Sequence, residues 1–243
     1  MQSVEVRKAV NAIDVARQAA EEIISSLASI LKAKSSANVA LTGGTVGILT
    51  LEVLAQDEFK DQIDFSNVHF WWGDERYVAG NSNDRNANQA RVALLNTLAV
   101  DESKIHEFPS TDSGLSVEEA RDKFEQYIIE AFDSETPSMD LTILGMGPDG
   151  HVASLFPGML SESNNVVAIH NSPKPPAERL SLSMDVINAS KKVIFVVSGI
   201  DKAEAVAAVH KDPDCELPAA KVAATGITLW IIDEAAGASF WSC

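Results

Sequence analysis

Over residues 8–31 apolar side chains recur at a helical period, with Val10, Ile13, Ala16, Ala20, Ile23, Ile24, Leu27 and Leu31 on one face. The pattern then shortens. Residues 68–72, 139–144, 193–197 and 226–232 are runs of apolar side chains with almost no charge. Such runs read as strands buried on both faces of a parallel sheet. Residues 38–41 and 165–170 read as two further strands. Helical patterns separate them. One runs through Leu54, and another places Ala90, Val92, Leu94, Leu95 and Leu98 on its apolar positions after a polar loop in which Asn83 is the candidate cap. A third, over residues 116–132, carries Ala120, Phe124, Tyr127, Ile128, Ala131 and Phe132. A helix opens after Gly199, and a terminal helix is expected from residues 233–236. Strand alternating with helix predicts an α/β fold: a doubly wound, mainly parallel sheet with helices on both faces. At 243 residues the chain fits a single domain over residues 1–243.

The loops at the strand ends carry the chemistry. After residues 139–144 come Gly145, Gly147, Pro148 and Gly150, which neither continue a strand nor start a helix cheaply. A sharp loop at the carboxyl end of a strand is where ligands bind in open α/β sheets. Into it fall Asp149 and His151. An imidazole takes up and releases a proton near neutral pH; Asp149 either orients it or binds a substrate hydroxyl. A structural histidine is the competing reading at that position. Earlier, Thr42-Gly43-Gly44-Thr45 joins a strand to a helix start, a plausible phosphate cradle because the first amides of a helix are unpaired. It has neither Walker nor GxGxxG spacing, so nucleotide binding is not supported. Trp72-Gly73-Asp74-Glu75-Arg76 puts one planar donor fork and two carboxylates at a strand end; a surface turn with a local ion pair reads equally from these residues.

Charge sharpens the picture. Thirty-five acidic against nineteen basic residues give a net charge of −16. Nucleic-acid binding needs a basic face and is not expected. An anionic ligand would meet a repulsive overall field, so the few cations must gather locally. That makes Arg76, Arg85, Lys174, Arg179 and Lys202 informative, with a helix-surface ion pair as the competing reading of Arg85. Lys174 sits among Pro173, Pro175 and Pro176 in a stiff extended segment that leads to Arg179. Lys202 follows Gly199 at a helix start, a second candidate anion site. No His/Asp/Glu cluster has metal-ligand spacing, so no metal and no cofactor are expected. Cys215 and Cys243 are in no CxxC pattern, and a reducing compartment is the default. The charged beginning of the chain is not a signal peptide. No window approaches the roughly 20 apolar residues of a membrane span. A cytoplasmic protein without a membrane partner is expected.

Gly145-Met146-Gly147-Pro148-Asp149-Gly150-His151-Val152-Ala153-Ser154-Leu155-Phe156-Pro157-Gly158 resembles the signature loop of the 6-phosphogluconolactonases. The other motifs follow that family in order. Gly43, Gly44 and Thr45 match its phosphate loop, with Val46 and Gly47 departing from it. Asp74-Glu75-Arg76 matches a hallmark; Ser82, Asn83, Arg85 and Ala87 match a helix-entry pattern from which Asp84 and Asn86 depart; Gly199 and Lys202 match another. Leu217-Pro218-Ala219 follows, with Ala220 lacking the usual hydroxyl. The resemblance implies a sugar-phosphate isomerase/lactonase type of sheet and hydrolysis of 6-phospho-D-glucono-1,5-lactone to 6-phospho-D-gluconate in the oxidative pentose phosphate pathway. It implies His151, Asp149 and Arg76 as catalytic and Gly44, Thr45, Arg85, Lys174, Arg179 and Lys202 as substrate-binding. The partner would be a phosphorylated sugar lactone, bound by a monomer or small homo-oligomer. Two rivals stay open. One is an amino-sugar-phosphate isomerase/deaminase, which Ala153-Ser154-Leu155-Phe156-Pro157 disfavours. The other is a non-enzymatic sugar-phosphate sensor, which His151 disfavours.

Overall fold

A computed structural model describes residues 2–159 and 164–241. Its main sheet has six strands, all parallel, in the order β1 (Ser3–Ala9), β9 (Ile227–Asp233), β8 (Lys192–Val197), β5 (Leu141–Leu144), β2 (Ala37–Leu41) and β3 (Val68–Trp72). The four central strands have almost every side chain buried. That is the reason for their unbroken apolar runs: helices cover both faces. A second, antiparallel sheet orders β4 (Asp74–Arg76), β7 (Arg179–Leu182) and β6 (Val166–Ile169). It is tied to the first where Gly73 donates to Leu41 O and accepts from the Leu182 N–H.

Helix starts follow local chemistry. Helix α1 (Ala12–Ala33) begins at Asn11, whose side chain accepts from the Ile13 and Asp14 amides at 3.0 and 3.1 Å. The helix Val117–Phe132 begins with a capping box between Ser116 and Glu119. Among the described residues, no helix is long and apolar enough to cross a membrane.

Several expected bounds move. The first strand, β1, was not anticipated: its valines alternate with charged residues, and the helical stripe expected from residue 8 begins only at Ala12. Val10 and Ile13, placed on the helix's apolar face by pattern, are each 65% exposed. The last strand runs on through Asp233, so the terminal helix begins at Ala238 rather than within residues 233–236. Asn83 does not cap its helix. The helix starts at Asn86, and the Glu75 carboxylate accepts the Asn86 and Ala87 amides at 2.7 and 2.9 Å. A buried carboxylate from another element does the work a local cap would do.

Candidate active site

The carboxyl ends of β2, β5 and β8 and the start of β4 surround one cleft of about 550 Å³. Each wall can be traced to its sequence. Past β5, the Gly150 N–H donates to Gly147 O at 3.0 Å and the Gly147 N–H to His151 O at 2.9 Å. Gly150 sits at φ +77°, where a side chain would be strained. The turn folds Asp149 back onto His151, and their Oδ1 and Nδ1 lie 2.5 Å apart. Phe156 packs on the imidazole at 4.6 Å between ring centres. A Cβ on Gly147 would lie 2.1 Å from His151 Nδ1, so only glycine leaves the ring its place. With Nδ1 held, Nε2 is the ring nitrogen left for the cleft. Burial would raise the Asp149 carboxyl, but the hydrogen bond and charge of His151 outweigh it and hold it below the ordinary range.

The opposite wall is the start of α2 (Thr45–Leu54). Its cap, Gly44, has φ +79° and offers no side chain, so the first-turn amides open toward the cleft. Gly43 is needed for another reason: a Cβ there would lie 1.9 Å from Asn86 Oδ1. Asn86 and Asp74 both line the cleft. Asn86 Nδ2 donates to Asp74 O at 2.8 Å and to Asp74 Oδ1 at 3.2 Å, while the Ser154 hydroxyl donates to Asp74 Oδ2 at 2.6 Å. Asn86 Oδ1 and Arg76 Nε are buried without a protein partner among the described residues.

The antiparallel register of β4 and β7 sets Arg76 directly opposite Arg179. Arg76 donates to Asp84 O at 2.7 Å. Arg179 donates to the carbonyls of Lys174, Pro175 and Pro176 at 3.0, 3.3 and 3.3 Å. It thereby pins the proline segment that carries Lys174 to the cleft. Burial and the neighbouring Arg76 charge lower the Arg179 guanidinium's pKa, and Asp74 opposes them. Lys202 completes the rim and pairs with Asp201. Arg76, Lys174, Arg179 and Lys202 thus outnumber Asp74 and Asp201, making a locally positive cleft in a chain of net charge −16.

Of the expected residues, His151, Arg76, Gly44, Thr45, Lys174, Arg179 and Lys202 line this cleft, and Asp149 touches it through His151. Arg85 is the exception and its assignment is corrected. It is 1% exposed, donates to Phe108 O at 2.7 Å, and lies 3.5 and 3.9 Å from Glu107 and Glu75. Its charge is spent on Glu107 and Glu75, and burial pushes the Glu75 carboxyl up to about 7 against the pull of Arg85 and three backbone amides. Asp74 and Asn86 were missed as site residues. Asp74 stands in a motif that the sequence did mark, but Asn86 was visible only as a departure from a family pattern.

Fold and cleft define an α/β protein with a cation-lined cleft beside an Asp–His pair. The chain belongs to the family described as glucosamine-6-phosphate isomerases/6-phosphogluconolactonase, whose model matches residues 11–230. It is 41% identical over 229 residues to the 6-phosphogluconolactonase of Mycobacterium leprae, covering 90% of this chain and 92% of that one. The 6-phosphogluconolactonase of Streptomyces coelicolor is 38% identical, with coverage of 91% and 89%. The crystal structure of the Thermotoga maritima 6-phosphogluconolactonase superposes with a TM-score of 0.83 at 27% identity, covering 95% of this chain and 100% of that one.

Proposed function

We propose that the chain hydrolyses 6-phospho-D-glucono-1,5-lactone to 6-phospho-D-gluconate, in the cytoplasm and as a step of the oxidative pentose phosphate pathway, using a water activated by His151 and no metal. The lactonase relatives support the reaction class. The observation that carries the mechanism is the Asp149–His151 pair, with its Nδ1 held at 2.5 Å, in a cleft with a surplus of cations.

His151 Nε2 takes a proton from water as the water oxygen attacks the lactone carbonyl carbon. The carbonyl electrons move onto oxygen, where Arg76, Arg179 or the Gly145–Gly150 amides stabilise the charge. The intermediate collapses, the ring carbon–oxygen bond breaks, and the imidazolium returns its proton to the leaving ring oxygen. Carboxylic acid and hydroxyl result with the imidazole restored, and the acid, well above its pKa at neutral pH, then releases its proton to solvent to give the carboxylate. Asp149 keeps the Nδ1–H tautomer and steadies the imidazolium. The phosphate sits on the Gly44–Thr45 amides, flanked by Lys174 and Lys202. No step needs a metal, and among the described residues no three His, Cys, Asp or Glu side chains form a metal-ligand set.

The test is lactone disappearance. The lactone is generated in situ from glucose 6-phosphate and its decay compared with spontaneous hydrolysis, without added metal. Decay well above the control that is lost in His151→Ala is expected. Decay at the control rate, with ammonia released from glucosamine 6-phosphate instead, overturns the assignment in favour of the deaminase branch.

A further inference from the structure

The two edges of the main sheet are finished differently. At β3 the edge is covered: Ile105 bridges to Phe70 and the His106 N–H donates to Phe70 O at 2.8 Å. At β1 it is open. Ser3 donates inward to Gly226 O at 2.9 Å, so strand alternation turns the main-chain groups of Val4, Val6 and Lys8 outward; of these the Lys8 carbonyl accepts from Gln18 Nε2 at 3.2 Å, a contact that a pairing strand must share or displace. Val4 is 66% and Val6 36% exposed, and the strand is seven residues long with a regular register and no bulge. Such an edge is a template for another strand.

The sequence of this edge is complementary to itself. Reversed about Val6, Ser3-Val4-Glu5-Val6-Arg7-Lys8-Ala9 sets Val6 against Val6, Glu5 against Arg7 and Val4 against Lys8. The charged pair falls on one face, where Arg7 also meets Glu22 of α1 at 2.6 Å. On the other face Val4 would lie along the aliphatic stem of Lys8, whose ammonium keeps Glu234 at 3.1 Å. The strand itself is net positive in a chain of −16, so the acidic excess that repels two copies lies elsewhere than on this strand.

We propose that β1 is a self-docking edge: two copies of this chain pair β1 with β1, antiparallel about a two-fold axis at Val6, and join their main sheets into one. Opposed Glu5–Arg7 pairs fix the register. One strand pair is a small interface, so the dimer is weak and reversible.

Sedimentation from about 5 µM to about 1 mM should show the mass rising from one chain toward two, as a weak interface does. A single-chain mass throughout overturns the proposal. Val6→Lys sets two ammonium groups face to face and should abolish the rise while leaving Tm near that of the parent. Dimer that survives this change places the interface elsewhere. Register is read by cross-linking in a Cys243→Ser background. Directly opposed Cα atoms in such a pair lie about 5.5 Å apart, within disulfide reach. Val6→Cys should give a covalent dimer on mild oxidation and Val4→Cys should not. Equal cross-linking of both overturns the two-fold at Val6.

Discussion

Two histidine arrangements sit at opposite ends of the same sheet, and only one is available for chemistry. His151 follows the carboxyl end of β5. One nitrogen is fixed by Asp149 at 2.5 Å and the other is left for the cleft. At the amino end of β3, His69 and His106 are bonded at every ring nitrogen. The Lys104 ammonium, which can only donate, meets His69 Nε2 at 3.2 Å. His69 must then donate from Nδ1 to His106 Nε2, 2.8 Å away, and His106 donates from Nδ1 to the Tyr127 hydroxyl. Trp71 stacks on His106 at 4.0 Å. Burial, with His69 and Lys104 adding repulsion, pushes His106 down to about 4. A histidine becomes useful when one nitrogen is fixed and the other is not. When both are satisfied it becomes packing.

The contrast is broken most directly at His151. His151→Ala should lower kcat by two to four orders of magnitude, roughly what a positioned general base contributes. A fall of less than tenfold in the lactone assay removes His151 from that role. Gly147→Ala leaves every catalytic group present but drives a methyl to within 2.1 Å of the imidazole. The ring must move, and kcat should fall about 100-fold, the cost of a misplacement on the order of 1 Å. Unchanged kcat would show that the ring's placement is not critical. Asp149→Asn keeps the shape but lets the ring adopt either tautomer. Asp149 is partly exposed, and a loss of roughly 10- to 100-fold in kcat with little change in KM is expected from a disturbed general base. A change confined to KM would mean that Asp149 binds a sugar hydroxyl instead.

The same contrast bears on what a sequence exposes. The buried strands were legible because burial on both faces forbids charge, and the Asp149–His151 loop because glycine and proline crowd at a strand end. What escaped is long-range. Strand β1 has its valines at an edge, exposed, where pattern and burial no longer correspond. Arg85 read as either a site cation or half of a helix-surface ion pair, because nothing local announces that Glu75, ten positions earlier, is buried with it. Asn86 was invisible as a site residue, since its place against Gly43 depends on two loops meeting. The His69–His106 pair is a tertiary contact across 37 residues and leaves no local sign.

That pair gives the smallest effect, on stability rather than rate. The folded-state pKa of His106, about 4, lies below its ordinary value of 6.5. Between those values the unfolded chain holds a proton that the folded chain refuses, so this group's contribution is full above pH 6.5 and fades as pH falls toward 4. Its size is roughly 1–3 kcal/mol across the window. Glu75 tilts the other way, because its folded carboxyl is raised to about 7 and its burial becomes cheaper as pH falls. Overall stability therefore mixes opposed slopes, and the difference between parent and variant isolates one of them. His106→Gln removes a titrating group while keeping an oxygen that can accept from His69. It gives up ring stacking on Trp71 and should be less stable at pH 7.5. The gap should narrow steadily as urea unfolding is repeated down to pH 4, with kcat at pH 7.5 within twofold of the parent. Parallel stability curves over that range would mean that His106 does not resist protonation in the fold, and that the two histidine sites differ less than their hydrogen bonds indicate.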